Sequence, residues 1–412
     1  MNKNIIQFQM DTDRNLIAQD MPMERILEIR VQAPVSIDQH DRPQLNLALV
    51  LDRSGSMSGE KLNFVKQAAR HVLNLLQDQD DVALVAYDDQ INLLSPSSKA
   101  TSNNRQEIIR RVGQLEPGGS TNLSGGWLAG CQEAASAAQD GTVNRTLLLT
   151  DGLANAGIVD LEELARHAKE LSRRGISTST FGVGEGFNEH LLEAMSNQGG
   201  GNFYYIDKPS SIPDFFLREF KELAAVTAWD VEVILDFPPD LHLQVPGGWR
   251  HEFVKGRLRI FLGNLFSGQT QEIYTKLMIP ALSNADDLIL KANVSGKGEK
   301  GQPFGELAEV IFQVAEQAKV ANAPQNRAML ERFALVYLAE IANEALKLER
   351  HHENSKAGLL LTNCIAENRE YLKQEDAERY LQMAERMKRG MDEMDRKQSH
   401  YNAYNQKRSR EQ

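Results

Sequence analysis

Between residues 44 and 227 the chain alternates short apolar runs with longer stretches of helical period. Leu45–Leu51 is apolar at every position but Asn46, the pattern of a strand buried on both faces. A helix is predicted over Lys61–Leu76, with Phe64, Ala68, Val72 and Leu75 on one face. Strand Asp81–Tyr87 follows, with an edge hairpin to Ile91–Leu94, then helices over Arg105–Leu115 and Leu123–Gln139. The second of these carries Gly125, Gly126, Ala129, Gly130, Ala134 and Ala138, so it can approach a sheet closely. Strands Thr146–Thr150 and Ile176–Val183 flank a helix over Leu161–Arg173. A short helix at Leu191–Ser196, a strand at Asn202–Ile206 and a helix over Ile212–Val226 complete the run. Alternation of this kind predicts a mostly parallel α/β sheet with helices on both faces.

The flanks have a different texture. Ile5–Met10 and Glu24–Val31 read as short strands, and Pro34 and Pro43 bracket a polar linker. Two strands this short have no stable core of their own, so they must pack on something later. From Trp229 onward come strand candidates at Asp230–Asp236, Leu241–Val245, Arg257–Leu262, Gln271–Ile279, Asp287–Val294 and Ala308–Val314. Turn chemistry (PPD, PGG, SGQ, SGKGEKGQP) separates them, with no helical period between. The expected division is therefore an α/β domain over 44–227, inserted in or followed by an antiparallel β-sandwich over 228–318. Residues 1–43 supply strands to that sandwich. A hinge at Ala321–Asn326 opens a helical region over 319–412, with helices at Met329–Glu349, Lys356–Glu367 and Glu375–Arg396. In the last helix Ala377, Tyr380, Ala384, Met387, Met391 and Met394 form a heptad-like seam. Packing inside a three-helix bundle is the favoured reading of that seam; a methionine-rich face for a partner is the other. The tail SHYNAYNQKRSREQ reads as a solvated, frayed end, with Lys407, Arg408 and Arg410 as its basic residues.

Candidate chemistry gathers where the first buried strand stops. Asp52, Ser54 and Ser56 follow at every second position, and Gly55 lets the loop close tightly. Three oxygen-bearing side chains thus converge beyond the carboxyl end of a strand, where open α/β sheets place ligands. Taken alone, D-x-S-G-S is also compatible with a polar turn in which Ser56 or Ser58 caps the next helix. Two later stretches change the balance. Glu116–Gly126 (EPGGSTNLSGG) sets Thr121 on a glycine-rich loop before a helix, and Thr146–Asn155 (TLLLTDGLAN) is a buried strand ending in Asp151. In this order the three pieces resemble the metal-ion-dependent adhesion site of the von Willebrand factor type A family, whose pattern they match without departure.

That resemblance implies a Rossmann-like fold and a divalent-metal site made of Asp52, Ser54, Ser56, Thr121 and Asp151. It implies that the hydroxyls of Ser54, Ser56 and Thr121 ligate directly, with Asp52 and Asp151 acting largely through water. The ion expected is Mg²⁺, with Mn²⁺ or Ca²⁺ as alternatives; Mg²⁺ prefers about six oxygens at ~2.0–2.1 Å. Neutral hydroxyls leave much of the charge on the ion, and a carboxylate from a partner protein is the natural sixth ligand.

Composition narrows the remaining classes. The 412-residue chain carries a net charge of −11, which argues against nonspecific nucleic-acid binding and against an anionic membrane surface. No stretch reaches the apolar length of a membrane span, and the start lacks a signal-peptide core. Two cysteines, Cys131 and Cys364, lie far apart in helical patterns and read as buried, reduced thiols of a cytoplasmic protein. His351 and His352 are neighbours on a helix end and point apart. No G-x-x-x-x-G-K-[ST] loop is present, and the serines of the strand-end motif have no histidine base nearby in sequence, so no enzyme is expected. The leading function is a metal-dependent protein-interaction module. An adaptor for a separate AAA+ ATPase is the alternative, and an RNA- or DNA-associated protein is weaker, since no basic stripe is visible.

Overall fold

The computed structural model of the chain describes residues 6–35, 42–282, 286–298 and 301–408. Strands β1 (Gln7–Thr12), β2 (Leu16–Ala18) and β3 (Met23–Gln32) come first. The α/β unit then runs β4 (Leu45–Asp52), α1 (Glu60–Leu75), β5 (Asp81–Tyr87), β6 (Ile91–Lys99), α2 (Ser102–Gly113) and α3 (Leu123–Ser136). It continues through β7 (Val143–Thr150), α4 (Leu161–Arg173), β8 (Ser177–Val183), α5 (Glu189–Gln198), β9 (Gly200–Ile206) and α6 (Ile212–Ala224). Its six strands lie in the order β6-β5-β4-β7-β8-β9, parallel throughout except for the edge pair β5–β6.

Alternate residues of β4 feed two cores. Leu45, Leu47, Leu49 and Leu51 meet α1, α2 and α6 on one face, and Ala48 and Val50 meet α3 on the other. Asn46 interrupts the apolar run, and its burial is offset by its amide N–H₂, which donates to Ala134 O at 2.7 Å and Asn144 Oδ1 at 2.8 Å. The small residues of α3 permit the close approach their pattern suggested: a Cβ on Gly130 would stand 2.2 Å from Val50 Cγ2. On α1 the buried stripe is Leu62, Val65, Ala68, Ala69, Val72 and Leu73, rotated from the predicted face, and Leu75 is exposed.

The chain then forms β10 (Val226–Asp236), β11 (His242–Gln244), β12 (His251–Phe253), β13 (Arg257–Phe266), β14 (Thr270–Ile279), β15 (Leu288–Lys297) and β16 (Pro303–Ala315). One sheet has the order β1-β3-β14-β11, the other β12-β13-β10-β15-β16-β2. They share an apolar core, with Leu27, Ile29 and Ile273 from the first and Val233, Ile260 and Phe312 from the second. The α/β unit is thus inserted between β3 and β10. One correction concerns strand direction, since β2 pairs parallel with β16 and the arrangement is not wholly antiparallel. Strands β2 and β12 have three residues each, too few to show a period in sequence.

Helices α7 (Gln317–Asn322), α8 (Arg327–Arg350), α9 (Asn354–Glu367), α10 (Gln374–Arg389) and α11 (Glu393–Lys407) end the chain. The first long three, α8 to α10, close on a core containing Leu338, Leu361, Ala384 and Met387. The heptad-like seam is largely internal: Ala377, Tyr380, Ala384, Met387 and Met391 are buried, whereas Met394 is 44% exposed. The seam does not run along one helix, because Gly390 at φ 89° stops α10.

The tail expectation is overturned. Helix α11, capped by Asp392, packs along α8, where Arg396 donates to Glu349. Its other side docks against α5 and β9 of the α/β unit, so that Tyr401 and Tyr404 join the core with α3 and α5. Lys397 is fully buried, donating to Phe187 O at 2.5 Å and to Glu189 Oε2 at 2.8 Å, with its ammonium 4.0 Å from the centre of the Phe187 ring. His400 Nε2 stands 2.5 Å from Glu193, and the Phe203 N–H donates to Tyr404 Oη at 3.1 Å. Sequence polarity misleads here because each buried charge of α11 has an opposite charge waiting on α5. The strand position Ile5, linker residues 36–41 and Arg410 fall outside the described residues.

These contacts predict graded stability losses. Met387→Ala should cost about 2–5 kcal/mol, and Met394→Ala less than about 0.5 kcal/mol, by urea unfolding of the full chain. Lys397→Met leaves Glu189 buried with Arg350 as its remaining cation. That change should cost about 3 kcal/mol, the lower end for a broken buried pair.

Candidate metal centre

Three loops build the site. Two lie at the carboxyl ends of the parallel strands β4 and β7, which deliver their last residues to one edge of the sheet. The third is the glycine-rich loop between α2 and α3, held beside them by Asp88 just after β5. Asp52 is the final residue of β4 and is fully buried. Its Oδ1 accepts the Ser54 N–H at 2.8 Å and its Oδ2 accepts the Thr150 hydroxyl at 2.6 Å. Withdrawal from water pushes the Asp52 carboxyl up to about 6, against the pull of those hydrogen bonds. The loop then forms a single 3₁₀ turn over Gly55–Met57 before α1 starts. Gly59 occupies the cap of α1 with no side-chain hydrogen bond, so neither Ser56 nor Ser58 serves as the cap.

The serines face the site instead. Ser54 Oγ lies 3.1 Å from Ser56 Oγ, and the Ser56 hydroxyl donates to Asp151 Oδ1 at 2.6 Å. Thr121 is buried on the glycine-rich loop. A Cβ on Gly152 would stand 3.0 Å from Thr121 Oγ1 and 3.9 Å from Ser56 Oγ, which brings the Thr121 hydroxyl to the same small space. All five residues singled out from sequence therefore converge, with Ser56 on the solvent side.

Backbone bonds lock the loops together. Gly55 N–H donates to Gly119 O at 2.9 Å, Gly118 N–H to Arg53 O at 2.7 Å, and Asn155 N–H to Thr121 O at 3.1 Å. Gly118 and Gly119 are required for this fit: a Cβ on either would fall 1.7 Å from Asp88 Oδ2 or 2.4 Å from Asp89 Oδ1. Asp88 is a supporting residue that sequence reading missed. Its carboxylate accepts the Gly119 N–H at 3.2 Å and pairs with Arg53 at 2.9 Å. Its signal in sequence was only an acidic turn after β5. Lys61 was also missed; its ammonium pairs with Asp151 Oδ2 from the first turn of α1.

The donor set is oxygen only, with two carboxylates and three hydroxyls, which suits a hard divalent cation and not a soft one. Among the described residues no three His, Cys, Asp or Glu side chains gather into a metal cluster. The two thiols stand apart from the site, and burial pushes both Cys131 and Cys364 up to about 12.

Comparison with known proteins bears on the α/β unit and its fold. Residues 46–218 match the family model of the von Willebrand factor type A domain. An uncharacterised protein of Synechocystis sp. is 32% identical over 235 residues, 57% of this chain and 54% of that protein. The human inter-alpha-trypsin inhibitor heavy chain H3 is 27% identical over 306 residues, 70% of this chain and 34% of its own. The chain thus spans about half the length of the first and a third of the second. A solved von Willebrand factor type A structure from Catenulispora acidiphila superposes with a TM-score of 0.76 at 16% identity, covering 98% of this chain and 97% of that one, so the two share a fold. The segment that carries β4, β7 and the oxygen-lined edge between them is a von Willebrand factor type A domain.

Proposed function

We propose that this chain is a non-enzymatic protein-interaction module that holds a divalent ion, Mg²⁺ first and Mn²⁺ or Ca²⁺ as alternatives, and captures a carboxylate of a protein partner. The observation that carries this reading is the convergence of Asp52, Ser54, Ser56, Thr121 and Asp151 from three loops onto one space with a solvent-facing side. The hydroxyls of Ser54, Ser56 and Thr121 would hold the ion, and Asp52 and Asp151 would orient those hydroxyls and bound water. A bound divalent ion supplies a Lewis-acidic face to which an outside carboxylate adds. Leu153, 51% exposed and two residues after Asp151, offers apolar contact beside that face. Among the described residues no helix is long and apolar enough to cross a membrane. Nothing in the geometry favours an ATPase adaptor or a nucleic-acid role over this reading.

Calorimetric titration of Mg²⁺ tests it. Wild type should take up one equivalent weakly, since few anionic groups touch the ion, and Thr121→Ala and Asp151→Ala should take up none while keeping wild-type circular dichroism. Metal and partner should bind with reciprocal coupling, each raising the other's affinity by the same factor, so a partner retained equally with and without chelator would refute the bridge.

A pH dependence follows from Asp52. Its folded-state value, about 6, lies above the ordinary 3.8, so folding favours its neutral form. That stabilisation is present below about pH 4 and is lost as pH rises through 6, on the order of 2–3 kcal/mol. Below pH 6 protonation of Asp52 removes the anion that would orient the hydroxyls and water around the ion, so metal affinity should fall, by up to about tenfold per pH unit. Asp52→Asn should flatten the stability profile and abolish the melting-temperature gain that Mg²⁺ gives wild type at pH 7.

A further inference from the structure

Lys61 sits in the first turn of α1, the wrong end of a helix for a cation, since the macrodipole there is positive and disfavours an ammonium by about 0.3–1 kcal/mol. Its position is explained by Asp151. The two side chains pair directly, with Asp151 enclosed and Lys61 31% exposed. Asp151 Oδ1 is already taken by the Ser56 hydroxyl at 2.6 Å, so Lys61 on Oδ2 completes the carboxylate from within the chain. Among the described residues Asp151 is the carboxylate with which Lys61 forms an ion pair. Its stem is a flexible four-carbon chain rooted on a rigid helix, able to swing toward solvent without moving the backbone.

We propose, resting on the metal-site reading above, that Lys61 is a tethered competitor and specificity-determining residue of the site. Its ammonium and the divalent ion are alternative counter-charges for Asp151. Loading the site requires Lys61 to leave, so metal affinity without a partner is set low by the chain itself. A partner carboxylate arriving at the rim offers the displaced ammonium a new anion and adds a ligand to the ion. Lys61 thereby converts a modest metal site into one that fills when an acidic partner is present. The partner class selected is an acidic side chain with room for two cations, the ion and the lysine. An uncharged hydrogen-bonding group cannot satisfy both.

The test uses the full chain and metal alone. Mg²⁺ is titrated by calorimetry into wild type, Lys61→Met, Lys61→Gln and Lys61→Arg, each checked for wild-type circular dichroism. Both neutral variants should bind Mg²⁺ about tenfold tighter, because a like charge beside the ion has gone, and Lys61→Arg should match wild type. As an independent readout, the ¹⁵N resonance of the Lys61 ammonium should shift toward the solvent-exposed lysine position as Mg²⁺ saturates. Equal affinity in wild type and both neutral variants, or an ammonium resonance unmoved at saturation, would overturn the competition and leave the metal site standing. No Mg²⁺ uptake by any of the four proteins would overturn the metal-site reading and this inference together.

Discussion

A carboxylate held at full burial at the end of an apolar strand is the constraint on which the rest of the site depends. Asp52 is enclosed, and its two oxygens meet only neutral donors, the Ser54 N–H and the Thr150 hydroxyl. Burying an anion without a cation is costly, and here the cost shows as a carboxyl raised to about 6. Everything around the site follows from making that position tolerable and useful. Ser54 folds back on Asp52 and so turns the loop; the turn presents Ser56; Ser56 reaches Asp151; and Asp151 draws in Lys61 from α1. Without the Asp52 carboxylate the loop after β4 would keep only its backbone bonds to its neighbours, such as Gly55 N–H to Gly119 O.

The second organising contact lies behind the site. The loop between β8 and α5 packs so tightly on Asp151 that a Cβ on Gly186 would fall 2.5 Å from the Asp151 carbonyl oxygen. The next residue, Phe187, is gripped by Lys397 of α11 through its carbonyl and its ring. A helix from the far end of the chain therefore reaches within two residues of the candidate site by a continuous path of packed groups. The same helix ties the bundle to the α/β unit, since Arg350 of α8 pairs with both Glu189 and Glu393.

What the sequence made legible was whatever had a period or a motif. The strands of the α/β unit were readable because β4 and β5 are apolar at nearly every position and β7 carries the leucine run 147–149, and the site because its five residues sit in three separate short patterns. Illegible features had their causes in three dimensions. The core face of α1 was misjudged because Leu62 and Leu73 lie off the stripe that Phe64 and Leu75 suggested. Asp88 and Lys61 gave no signal because an acidic turn and a lysine near a helix start are common on any surface. The seam of methionines was read through Gly390, where a positive φ ends the helix and sends the chain elsewhere. Helix α11 was hidden most completely, as a polar segment is read as solvated unless its counter-charges, here Glu189 and Glu193, are known to face it.

The docking of α11 also sets an order of events for a chain emerging from a ribosome. Lys397 closes on a carbonyl 210 residues earlier, and Tyr404 on an amide 201 residues earlier. Bringing such distant points together carries a loop-closure entropy of roughly 5 kcal/mol, which must be met after the strands of the parallel sheet have already paired. Synthesis runs from the N-terminus, so the α5–β9 surface stays bare through the making of the sandwich and the bundle. The first strands wait as well, because β3 finds its partner β14 only after the inserted unit is complete. Folding of this chain is a sequence of deferred closures, and the last of them seals the first domain to be built.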